Sequence, residues 1–246
     1  MNLYEKQTLF RSIQVNPNLY YYVWQGMGNN CNAMVFPNVL KGDKPHVLVD
    51  PGHINNEFRE PCFNNLKTSV EKDGFKINDV GMVINTHSHA DHCQANEVLK
   101  KNEGLVIAMS EEEDKFRQTT GKTIDAMFGM KPAEFDVNLY IKEGKFDLGD
   151  NIHLEVYLCP GHSPGSLCFY WPEHKILITG DVVFFGSIGR TDFPGGNTND
   201  LKNSIAKLAQ LDVECVLTGH STELGNIIQG KETVQRNFQA IQQMFF

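Results

Sequence analysis

The chain has 246 residues, 41% of them apolar and 21% charged, with a net charge of −8. That is enough apolar material for a sizeable buried core and fits a single domain over residues 1–246. The negative balance, with no Lys/Arg block against it, excludes nucleic acid as a partner, because phosphate binding needs clustered positive charge.

No apolar run approaches the ~18 residues of a membrane span, and the N-terminal residues interleave charged and apolar side chains rather than forming a secretory signal. Strands are predicted over 19–24, 32–36 and 46–49, the last broken by Asp50, Pro51 and Gly52. Phe58, Phe63, Leu66 and Val70 recur at helical spacing and predict a helix over 56–72. A short apolar strand, 82–85, runs directly into a histidine cluster. A helix over 94–101 and a buried strand over 105–109 follow, and Ser110 with Glu113 has the spacing of a capping box opening another helix. Residues 119–140 carry Met127, Phe128, Met130 and Phe135 without sustained periodicity. They read either as an apolar flap over a pocket or as a loop packing its own side chains.

The second half repeats the pattern, with strands over 152–158, 167–171, 175–178 and 213–217 and helices over 200–210 and 230–244. Strand groups alternating with isolated helices, twice over, predict an α/β fold of two mixed β layers with helices outside. The six cysteines are scattered with no CxxC, so free thiols in a cytoplasmic protein are expected.

Three of the nine histidines, His87, His89 and His92, fall within six residues, with Asp91 among them. At the end of a strand, His87 and His89 point to the same side. Asp91 and His92 then project from the start of the next helix, where a carboxylate is electrostatically favoured. A catalytic metal takes about three protein ligands plus water, so four ligands from one segment argue for two ions. The rest of the sequence offers His162, Asp181 and His220, each beside glycine just past an apolar strand, where loops from several strands converge on one sheet edge.

The combined pattern of residues 86–92 (THSHADH), 161–166 (GHSPGS), Gly180 with Asp181 and Gly219 with His220 resembles the metallo-β-lactamase-fold hydrolases. Within them it is most similar to the glyoxalase II-like (hydroxyacylglutathione hydrolase-like) branch, helped by residues 189–193 (GRTDF). The resemblance implies a four-layer αβ/βα sandwich with metals at one edge. It implies that His87, His89 and His162 hold one ion, that Asp91, His92 and His220 hold the other, and that Asp181 bridges them. Asp50 matches a position that supports the ligands from behind. The implied cofactors are two divalent ions, zinc first, with iron or manganese as alternatives.

The expected reaction is attack of a metal-bound hydroxide on a small thioester, ester or lactone, with Asp91 orienting or shuttling the proton. Pocket-lining residues are expected from 119–140 and 184–197. Ser221 stands where the family carries glycine after the last histidine, and residues 221–246 are too few for the C-terminal helical domain with which glyoxalase II proper holds glutathione. Two alternatives remain open: a persulfide dioxygenase with one iron on His87, His162 and Asp181, and a non-catalytic metal-binding protein.

Overall fold

The computed structural model describes residues 8–149 and 152–246. Its first sheet contains Phe10–Asn16 (β1), Leu19–Trp24 (β2), Ala33–Phe36 (β3), His46–Val49 (β4), Val80–Ile84 (β5), Val106–Met109 (β6) and Leu139–Tyr140 (β7), in that spatial order. Strands β1 to β4 pair antiparallel and β4 to β7 parallel. Next come Gly144–Gly149 (β8), Ile152–Leu158 (β9), Leu167–Trp171 (β10) and Ile176–Ile178 (β11), a small ribbon of Val183–Phe184 (β12) and Ser187–Ile188 (β13), then Cys215–Thr222 (β14) and Gly225–Gln229 (β15). The second sheet is ordered β15-β14-β11-β10-β9-β8.

The helices are Cys62–Lys72 (α1), Ala90–Cys93 (α2), Asn96–Leu99 (α3), Glu111–Gln118 (α4), Gly121–Met127 (α5), Thr198–Leu208 (α6) and Lys231–Phe245 (α7). None is long and apolar enough to cross a membrane.

Side-chain alternation explains the layering. In β10, Leu167, Phe169 and Trp171 face the first sheet, meeting Tyr21, Met34, Phe36 and Val49. Cys168 and Tyr170, on the other face, join Leu201, Ile205 and Leu208 of α6 and Val234, Phe238 and Ile241 of α7. On the far side, Phe63, Leu66 and Val70 of α1 cover Tyr22, Val35 and Leu48. Each sheet is thus apolar on both faces, which requires helices outside and a second sheet inside. The expected four-layer αβ/βα sandwich is what the chain forms.

Several local expectations change. The predicted helix over 56–72 starts only at Cys62. The Asn56 side-chain oxygen accepts from the backbone of Phe58 and Glu60 and makes a turn there, leaving Phe58 58% exposed; local side-chain bonding competes with helix formation in this way. The predicted 94–101 helix is reduced to a single turn, α3, and a separate turn, α2, precedes it. Residues 119–140 are not irregular throughout: they contain α5 and β7, with Phe135 buried and Met127 and Phe128 exposed.

Candidate metal centre

All seven predicted ligands meet at one edge of the sandwich. His87 and His89 follow β5, and Asp91 and His92 lie on α2; His162 lies between β9 and β10, Asp181 follows β11, and His220 is on β14 itself. Two backbone bonds hold the sheets in register there, from Leu167 N to Thr86 O (2.8 Å) and from Asn32 N to Gly219 O (2.7 Å). Ser221 therefore sits within a strand, and no glycine-requiring turn follows His220.

The ligand atoms form overlapping clusters: His87, His89 and His162; His87, His92 and Asp181; Asp91, His92 and His220. Asp181 lies among them. One of its oxygens is 3.2 Å from His92 Nε2, and the other is 3.4 Å from His220 Nε2 and 3.5 Å from His162 Nε2. The Nε2 atoms of His87, His89 and His162 are buried without a hydrogen-bond partner. Buried polar atoms are rarely left unpaired, and three imidazole nitrogens beside a carboxylate are the donor set that zinc, iron or manganese takes. The residues fit divalent ions.

The far side of each ring explains why Nε2 is the free atom. Asp50 accepts at Oδ1 from Thr86 N (2.8 Å) and at Oδ2 from Thr86 Oγ1 (2.7 Å) and His92 Nδ1 (2.9 Å). With its hydroxyl hydrogen on Asp50, Thr86 Oγ1 accepts from His87 Nδ1 at 3.1 Å. His162 Nδ1 donates to the Arg190 carbonyl at 2.8 Å. In His87, His92 and His162 the Nδ1 proton is engaged, which fixes the tautomer and leaves Nε2 for a ligand. Asp50 does this from a left-handed backbone, φ +51°, a strain of about 1–3 kcal/mol for a residue with a side chain.

Burial lowers the pKa of His87 well below that of an ordinary imidazole, helped by the charge of His92, and lowers His89 to about 3. Burial acts the same way on His92 and His220, but there the carboxylates win. Asp181 and Asp50 hold His92 well above its usual value, while Asp181 and Asp91 raise His220 to about 10. Burial would raise Asp91 and Asp181, yet both are held well below the carboxylate range by their bonds and charge interactions with His220 and His92. The metal-free site therefore keeps protons on one half and bare nitrogens on the other. A divalent ion must displace those protons, so loading releases protons and apparent affinity rises with pH until about 10, where His220 gives up its proton unaided. Calorimetric titration in buffers of different ionisation heat measures the released protons. Affinity that stays flat between about pH 7 and 9 contradicts the assignment.

Three contributors escaped sequence reasoning. Asn29, on an exposed loop, donates from Nδ2 to Asp91 Oδ2 at 2.8 Å, and no local pattern announces it. Thr86 stands inside the quoted motif with no role assigned to it. The Arg190 carbonyl belongs to the 189–193 segment, whose signal was its motif. Around the mouth, Phe193 lies 6.1 Å from His89, Phe128 5.7 Å from Phe193, and the Arg190 guanidinium 4.0 Å over the Phe193 ring. Phe184 stands 6.0 Å from His220 on the opposite side. Both segments expected to line the pocket, 119–140 and 184–197, thus place aromatic rings near the histidine cluster.

Comparison with known proteins agrees with this geometry. The family model of the metallo-beta-lactamase superfamily matches residues 29–220, and the chain belongs to that superfamily of metallo-hydrolases. It is 30% identical over 191 residues to a probable metallo-hydrolase of Methanocaldococcus jannaschii, covering 74% of this chain and 85% of that one. Over 145 residues it is 36% identical to hydroxyacylglutathione hydrolase GloC of Haemophilus influenzae, covering 57% of this chain and 68% of that protein. Its fold is shared with TTHA1623, solved in a di-iron-bound form, at a TM-score of 0.65 and 24% identity, covering 92% of this chain and 98% of that one.

Proposed function

We propose that this protein is a dinuclear metallohydrolase that cleaves a small thioester, or a related ester or lactone. His87, His89 and His162 would hold one divalent ion, Asp91, His92 and His220 the other, and Asp181 both. The observation that carries this is the placement of Asp181 within 3.5 Å of ring nitrogens belonging to both sets, beside three buried and unpartnered Nε2 atoms.

Divalent ions supply, when bound, a nucleophilic water at neutral pH and Lewis acidity toward a carbonyl oxygen. The chain's own groups supply orientation and proton handling. Asp91, fixed by Asn29 and 3.1 Å from His220 Nε2, would orient an attacking water or shuttle its proton to the leaving group. Asp50 and Thr86 keep the histidine rings from turning. Phe128, Phe193 and Phe184 give an acyl or thiol group an apolar seat and reduce the water around the reacting carbonyl. A thioester is the reading favoured by the similarity to the hydroxyacylglutathione hydrolase. The six cysteines are all unpaired, which fits a reducing cytoplasm.

The one-iron dioxygenase reading would use His87, His162 and Asp181 and would leave His89 Nε2 buried and unsatisfied, whereas the two-ion reading employs it. Metal content per chain, measured with a panel of thioesters and lactones in the presence and absence of O₂, decides. About two ions with O₂-independent hydrolysis is expected. One iron with thiol-dependent O₂ uptake overturns the proposal. Tightly held metal with no turnover of any panel member returns the chain to a binding role.

A further inference from the structure

Ser110 and Glu113 have the spacing of a capping box, and half of the box is present: Ser110 Oγ accepts from Glu113 N at 3.1 Å. The Glu113 carboxylate does not return to the Ser110 backbone, as a reciprocal box requires. It turns inward and is fully buried, with 0% exposure. Oε1 accepts from Ser88 N (2.9 Å) and Ser88 Oγ (2.7 Å), and Oε2 accepts from Ser163 Oγ (2.8 Å) and Gly165 N (2.8 Å).

All four partners are neutral donors, and they come from two loops remote in sequence. Ser88 stands between His87 and His89, and Ser163 follows His162. Ser110 Oγ also donates to the Gly165 carbonyl at 2.7 Å, and Ser163 Oγ lies 2.7 Å from Ser166 Oγ. One carboxylate thus joins the loops that carry all three imidazoles of a single cluster. Capping a helix needs no such burial, and burying a carboxylate is costly unless its oxygens are satisfied. The second cluster makes no contact with Glu113 and rests on Asp50 at His92 and Asn29 at Asp91, Asp50 also reaching His87 through Thr86.

We propose that Glu113 is a positioning residue for one metal site only, holding His87, His89 and His162 at the separation an ion requires. This rests on the two-ion reading above. It acts through the loops and touches neither ion nor substrate. Loss of a supporting partner behind metal ligands typically weakens binding about 10–100-fold.

The test is titration of the metal-free full chain with cobalt(II), read by its visible absorption and by competition with a chelator. In the unaltered protein two equivalents bind, and His89→Ala identifies the one belonging to the His87, His89 and His162 set. Glu113→Gln keeps the volume and places an amide N–H against one pair of donors. It is expected to weaken that same equivalent about 10–100-fold and to leave the other unchanged. A general loss of structure would instead weaken both equivalents together, and that result, or no change in either, overturns the proposal. If Glu113→Gln does not fold, Ser88→Ala decides, since it removes one donor and leaves the carboxylate. It should weaken the same equivalent several-fold, and an unchanged equivalent overturns the proposal. Failure of the unaltered protein to take up cobalt overturns the two-ion reading itself, a distinguishable outcome.

Discussion

If the protein is the thioester hydrolase proposed, Asp181→Ala is expected to lower turnover by at least about 10³-fold while the chain remains folded, because several kcal/mol of charge stabilisation go with it. The carboxylate is within 3.5 Å of His92, His162 and His220, so its removal separates two clusters that share no other carboxylate. Fewer than two ions should remain per chain. The interior of each sheet is untouched, because Asp181 lies beyond the end of β11 and outside the apolar clusters. Steady-state kinetics, metal content and far-UV circular dichroism on the same preparation provide the check. Wild-type-like turnover from the purified variant ends the bridging assignment.

A change of one methyl group at Gly219 should be nearly as severe. A Cβ there would stand 2.2 Å from Asp181 Oδ1 and 2.9 Å from the Gly180 carbonyl carbon and oxygen. Gly219 is also fixed from both sides, donating to Gly180 O at 2.8 Å and accepting from Asn32 N at 2.7 Å. The strand cannot retreat, so Asp181 must move. Gly219→Ala is expected to reduce turnover about 100-fold, the effect of an ångström-scale displacement at a reacting centre. Its overpacking should cost about 1–3 kcal/mol of stability. Urea denaturation compared with kcat/KM separates the two losses. Unchanged values of both would mean that the backbone there is more yielding than its hydrogen bonds indicate.

The site was legible because its signals are local. Four candidate ligands fall within residues 87–92, and the other three each follow a recognisable apolar strand beside a glycine. The layered fold was legible because strand groups alternate with isolated helices twice along the chain, and the four-layer form came with the family resemblance. What was hidden depends on partners distant in the chain. Glu113 obeys the capping signal with its backbone, while residues 25 to 52 positions away claim its carboxylate. Phe58 has the spacing of a helix face, but Asn56 captures the local backbone first. Strands β1, β7, β8, β12, β13 and β15 went unpredicted: β7, β12 and β13 are two residues each, β8 is largely exposed and begins and ends in glycine, and β15 is only five residues long. Pairing of β8 with β9 and of β15 with β14 defines these two more than their composition does.

The division of the ligands between the two sheets has a consequence for how such a protein matures. His87, His89, Asp91 and His92 belong to the half completed first along the chain, whereas His162, Asp181 and His220 arrive with the second. Neither half alone encloses an ion, so tight capture waits until both sheets have met. An ion gripped there works as a clasp across the seam: because it favours the joined form over the separated one, its binding energy adds to the stability of the closed sandwich. Metal acquisition would then report completed folding, and a chelator would loosen the seam before it disturbs either sheet.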